Sequence, residues 1–213
     1  MKKNFWKIEY SITLFVLLGL IMLFVPVKFE NYFQASMISG WNERYNSVAY
    51  MFTVINAQAS DEILKSFANA KTPEMREKLL MQLVKPYLRL KTSERLPRRY
   101  KAKYMNGNRV NKNDKYKFND LYFSENGMQI VGIKDISSDK ENAPWFMLMF
   151  DINGFLPPNT WGKDIYGIYI FDEGKIKPFG YNESLERLSE DCSPQGTGIN
   201  CSYYYRIGGE FYD

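Results

Sequence analysis

The sequence predicts an α+β protein: a long N-terminal transmembrane spine helix, then further helices and an antiparallel sheet. Three observations predict it. Tyr10 to Val27 is a run of eighteen residues without a charge, preceded by Lys2, Lys3 and Lys7. Apolar residues then recur at helical spacing as far as Ile55. Beyond Tyr100 the period shortens toward two, the mark of strands.

The apolar run would be about 27 Å long as a helix, close to the thickness of a bilayer core. It is longer than the apolar part of a signal peptide, and Phe24, Val25, Pro26, Val27 and Lys28 give no small-residue cleavage site. The lysines before it assign the N-terminus to the cytoplasm and the rest of the chain to the exported side. Phe29, Phe33, Met37, Trp41, Tyr45, Val48, Phe52 and Ile55 follow in steps of four or three, which is one stripe on a helix. A single helix from Tyr10 to about Gln58 would be about 75 Å long. Pro26 lies inside it, where a missing bond and a steric clash predict a kink. The predicted organisation is a basic leader with a polar lead-in at 1–9 and the transmembrane part of the spine at 10–27. Its periplasmic part is 28–60, and a globular head fills 61–213.

Within the head, Ala57 to Lys71 reads as a short helix and a linker. Thr72 and Pro73 suit the cap and first turn of the next helix. Met75, Leu79, Leu80, Leu83, Val84, Tyr87 and Leu88 supply its stripe. The segments 121–123 and 128–133 read as a hairpin turned at Glu125-Asn126-Gly127. Segments 145–150 and 165–171 read as buried strands, 175–177 as a short one, and 203–207 as a last strand. Strands placed after helices give the α+β layout.

Composition narrows function. The formal net charge is +4 and the basic residues are interleaved with acids and aromatics, so nucleic acid is not an expected partner. The chain has no histidine, no Gly-x-Ser-x-Gly and no Walker or dinucleotide fingerprint, so no enzyme is predicted. Cys192 and Cys201 bracket a stretch rich in turn formers, and on the exported side they predict a disulfide worth about 2–3 kcal/mol. The segment from Asp151 to Asp164 joins two apolar strands and carries Asp151, Asn153, Asn159 and Asp164. Oxygen ligands in a glycine-bearing loop can hold calcium. They can equally bond their own turns, and the spacing is not that of an EF-hand. Glu9, at the start of the apolar run, can snorkel to water or pair with a positive group of another subunit.

Phe5, Glu9 and Pro26, with lysines ahead of them, reproduce a spacing through which the chain resembles the type IV pilin and pseudopilin family, the subunits of type IV pili and type II secretion systems. The stretch from Asp151 to Asp164 and Ile176-Lys177-Pro178-Phe179-Gly180 look similar to the sheet region of a pseudopilin-like group. The resemblance implies cleavage between Asn4 and Phe5 by a prepilin peptidase, methylation of the new amine, and pairing of Glu9 with a neighbouring subunit. The implied partners are other pilin or pseudopilin subunits and the bacterial inner membrane, spanned once. The implied role is a minor or divergent pilus or pseudopilus subunit. Asn4 stands where the family has glycine, and Trp6 and Lys7 replace small or apolar residues. The alternative is therefore a membrane-anchored, exported binding or structural module that does not polymerise.

Overall fold

A computed structural model describes residues 2–58, 66–67, 69–91, 100–111, 113–118, 122–124, 130–138, 140 and 142–211. The backbone alone is described for 2–9, 24–31, 123, 124, 130 and 173. The chain divides into two compact units, 1–36 and 37–213.

Helix α1 spans Lys2–Gln58 and is helical through Pro26. In the first unit its described side chains from Tyr10 to Leu23 are all exposed. In the second unit Trp41, Val48, Phe52 and Ile55 of the predicted stripe are buried, and Met51, outside that stripe, is buried with them. Trp41 stacks on Tyr166 at 5.0 Å and donates its indole N–H to the Ser202 carbonyl at 2.8 Å.

The transmembrane spine of the sequence reading is corrected. Among the described residues no helix is long and apolar enough to cross a membrane. Ser11 and Thr13 bring two hydroxyls into the predicted apolar run. A pilin fold requires a long apolar transmembrane helix. The correction therefore extends to the pilin-like fold, the pilus or pseudopilus subunit, the anchored-module alternative and the single-pass inner-membrane placement. The side chains of Asn4, Phe5, Glu9 and Pro26, on which processing and assembly rested, lie outside the described residues.

Helix α2 spans Pro73–Leu88. The Thr72 side chain accepts from the Met75 N–H, as a cap should, and Arg89 ends the helix in the left-handed region. Leu80, Met81, Val84 and Leu88 are buried. Arg76 pairs with Asp135, and Glu77 accepts from the Asp135 N–H at 2.8 Å, tying α2 to the sheet.

Six antiparallel strands follow one another in chain order across the sheet. They are β1 Leu90–Lys91, β2 Tyr122–Ser124, β3 Ile130–Asp135, β4 Phe146–Asp151, β5 Ile165–Ile170 and β6 Ile176–Pro178. Each pairs with its neighbour, so the sheet is a meander. The central register places Val131 opposite Phe150 and Phe150 opposite Tyr166. β4 is buried along its whole length, as its unbroken apolar run predicts.

The two faces of the sheet carry separate cores. Val131, Ile133, Phe146, Leu148, Phe150, Tyr166 and Ile168 pack with α1 and α2. Phe118, Met147, Met149, Trp161, Ile165, Phe179 and Ile199 form the other core under the loops. Alternation along β4 assigns its side chains to the two. Gly167 is required here, because a Cβ at that position would overlap the Phe179 ring.

The last predicted strand is also corrected. After helix α3, Leu185–Asp191, the chain forms helix α4, Cys201–Tyr204, and a 3₁₀ turn, Tyr205–Ile207. The aromatic run suggested a strand, but β6 already occupies the edge of β5. Beyond it, the Gly167 N–H donates to the Ser202 hydroxyl at 2.9 Å and the Tyr203 N–H to the Phe179 carbonyl at 3.1 Å. The edge of β5 is thus filled by β6 and, past it, by Phe179 and Ser202, so the segment packs across it as a helix. The Cys192–Cys201 disulfide is formed, with Cα atoms 5.4 Å apart and both residues buried.

Candidate functional site

The candidate site is the loop joining β4 to β5. Asp151 is the last residue of β4 and Asp164 immediately precedes β5. The hairpin therefore brings the two carboxylates to its mouth. The neck is closed by the Ile152 N–H, which donates to the Asp164 carbonyl at 2.9 Å. Both aspartates are fully buried, which is uncommon for side chains that ionise readily in water.

Asp164 is well satisfied. Its Oδ2 accepts from the Asn159 N–H at 2.7 Å and its Oδ1 from the Thr160 N–H at 2.6 Å. Burial still raises its carboxyl to a pKa of about 6, against the pull of those two N–H groups. Asp151 is less well served. Its Oδ2 accepts from the Tyr100 hydroxyl at 2.7 Å, while its Oδ1 is buried without a hydrogen-bond partner. Burial, and then the charge of Asp164, push the Asp151 carboxyl well above the carboxylate range. The Tyr100 hydroxyl acts in the opposite direction, as do the nearby Gly154 and Asn153 N–H groups, which favour the charged form without reaching hydrogen-bond geometry with Oδ1. Tyr100 is itself raised well above the usual phenol value, first by burial and then by the Asp151 charge.

The two asparagines complete the set. Asn153 donates through Nδ2 to the Pro157 carbonyl at 3.2 Å, and its Oδ1 is buried without a partner. Asn159 sits at φ 49°, in the left-handed region. Its terminal amide faces the Gly154 carbonyl at 3.1 Å and Asp151 Oδ2 at 3.2 Å. With nitrogen inward the amide donates to both. With oxygen inward, the amide sets a third oxygen against the Gly154 carbonyl and Asp151 Oδ2.

The four residues singled out from the sequence are thus brought together by one hairpin. Tyr100 was missed. It lies fifty-one residues from Asp151 in the chain, and only the packed structure places it there. Its ring meets Phe118 and Phe155 edge-on, which fixes the hydroxyl over the carboxylate. Among the described residues no group of three or more histidine, cysteine or acidic side chains is placed to hold a metal. What the loop offers is a hard, all-oxygen set of two carboxylates with amide and carbonyl oxygens. That donor chemistry suits calcium and not a transition metal.

No protein-family model, curated protein or solved structure matches the chain.

Proposed function

We propose that this chain is a non-catalytic α+β module whose β4–β5 loop holds a divalent cation of the calcium type. The observation that carries the reading is the buried Asp151 Oδ1, which has no hydrogen-bond partner beside a second buried carboxylate. A buried, unpaired carboxylate oxygen is costly, and a bound dication supplies the missing partner while neutralising both charges.

The residues that would hold the cation are Asp151, Asn153 through its unpartnered Oδ1, the Gly154 carbonyl, and Asn159 with its amide oxygen turned inward. Asp164 has a different part: both its oxygens are engaged by backbone N–H groups, so it contributes charge and braces the loop. Asn159 is the adaptable member, because rotating one amide converts a hydrogen-bonded turn into an oxygen cage. Gly162, at φ 79°, lets the chain turn back toward β5 where a Cβ would collide with Met105, Cys201 and Gly198.

The test is thermal melting of the full-length chain in EDTA and in millimolar calcium chloride at pH 7.5. A rise of several degrees with calcium is expected, by linkage of binding to folding. Asp151→Asn removes a buried charge while keeping an acceptor for Tyr100. It should melt no lower than the parent in EDTA and lose the calcium response. An absent response in the parent at about 10 mM calcium, roughly tenfold above the weakest dissociation constants of extracellular calcium modules, would leave the loop as a self-bonded turn.

A further inference from the structure

A cavity of about 480 Å³ opens on the sheet face away from α1 and α2, and no part of the cation loop lines it. Its volume lies within the range of small-molecule sites, about 300–1,000 Å³. The buried Met147 forms part of its lining, and Tyr116, Tyr169 and Tyr181 present half-buried rings to it. Lys115, Asn182 and Glu183 bring polar groups.

These rings are held in place before any ligand arrives. Tyr169 packs against Phe179 at 4.3 Å and meets Tyr181 edge-on at 6.3 Å. Tyr181 in turn meets Phe171 at 5.8 Å and carries the Lys177 ammonium 4.5 Å from its ring centre. Fixed aromatic surfaces lose little conformational freedom on binding, which favours ligands that rest on them.

The polar groups select the ligand. Lys115 is exposed and only donates, and the Glu183 carboxylate only accepts. The Asn182 amide does both. An anion would compete with the Glu183 carboxylate for Arg187, 3.5 Å from it, and a cation would meet Lys115, whose ammonium lies 4.7 Å from the Tyr116 ring centre. A ligand whose every polar group both gives and accepts a hydrogen bond is opposed by neither. Hydroxyls have that property, and the C–H face of a sugar ring is the surface that rests on a tyrosine ring. We infer that this cavity is a binding site for a neutral saccharide, seated on Tyr169 and Tyr181 and hydrogen-bonded by Lys115, Asn182 and Glu183.

The test is NMR titration of the full-length chain with maltotriose and with chitotriose, using a trigalacturonate as the anionic control. At least one neutral trisaccharide should give saturable shifts centred on Tyr116, Tyr169, Tyr181 and Asn182, with a dissociation constant on the order of a millimolar. Tyr181→Ala should weaken binding about tenfold or more. Asn182→Ala, at an exposed position, should weaken it severalfold and leave the melting temperature unchanged, which keeps the test intact if the tyrosine variant fails to fold. Three results overturn the assignment: no saturation by either neutral sugar up to about 50 mM, binding unchanged in Asn182→Ala, or tighter binding of the trigalacturonate.

Discussion

Two fully buried aspartates make the stability of this protein depend on pH in an unusual direction. A carboxyl whose folded-state pKa lies above its unfolded value stabilises the fold while protonated. That contribution is complete below the unfolded value and is lost as pH rises through the folded one. For Asp164 the ordinary value is 3.8 and the folded value about 6, a difference worth about 3 kcal/mol. Asp151 is raised as well, for the same first cause and by its neighbour's charge. In the absence of a bound cation, stability should therefore fall between pH 4.5 and 7.5. For a domain of this size the loss corresponds to roughly 6–12 °C in melting temperature. The chain contains no histidine, so no side chain with an ordinary pKa competes in the upper part of that window. The assay is calorimetric melting of the full-length chain in EDTA at four pH values and constant ionic strength. Asp151→Asn should flatten the slope, and calcium should restore most of the stability lost at pH 7.5. A melting temperature that stays level or climbs across this range would refute the argument from burial.

Three further outcomes follow from the packing. Trp41→Phe removes the indole N–H from the buried Ser202 carbonyl and should cost about 1–3 kcal/mol, read as a lower midpoint of urea unfolding with the same slope. Gly167→Ala forces a methyl group into the fully buried Phe179 ring. It should cost about 1–3 kcal/mol, or yield a chain that is recovered insoluble, when compared with a Gly19→Ala control whose Cβ has open space around it. Replacing both Cys192 and Cys201 by serine opens a loop closed over a separation of nine residues and should lower stability by about 2–3 kcal/mol, measured by the same denaturation.

The parts of the fold legible in the sequence are those where local pattern and tertiary demand agree. Thr72-Pro73 announced α2 because a capping hydroxyl and a proline have few other uses at that spacing. β4 and β5 were legible because a strand buried on both faces is an unbroken apolar run. The stripe was legible by its helical spacing, and the structure buries Trp41, Val48, Phe52 and Ile55 and half-buries Tyr45. The transmembrane assignment rested on hydropathy alone, and no helix among the described residues is long and apolar enough to cross a membrane. The strand expected from Tyr203 to Ile207 failed because aromatic propensity cannot know that β6 has already taken the edge of β5. In the β4–β5 loop the polar residues themselves marked the place. That Asp164 is satisfied by backbone while Asp151 is not depends on turn geometry, which the spacing alone does not encode.

Trp41 and Ser202 are 161 positions apart, yet one hydrogen bond joins them inside the core. During synthesis the indole leaves the ribosome long before its acceptor exists. At about 5–20 residues per second the wait lasts roughly 8–30 seconds. Throughout that interval the inner stripe of α1 has no completed surface to rest on, so α1 cannot settle into its final packing until the C-terminal segment has been made.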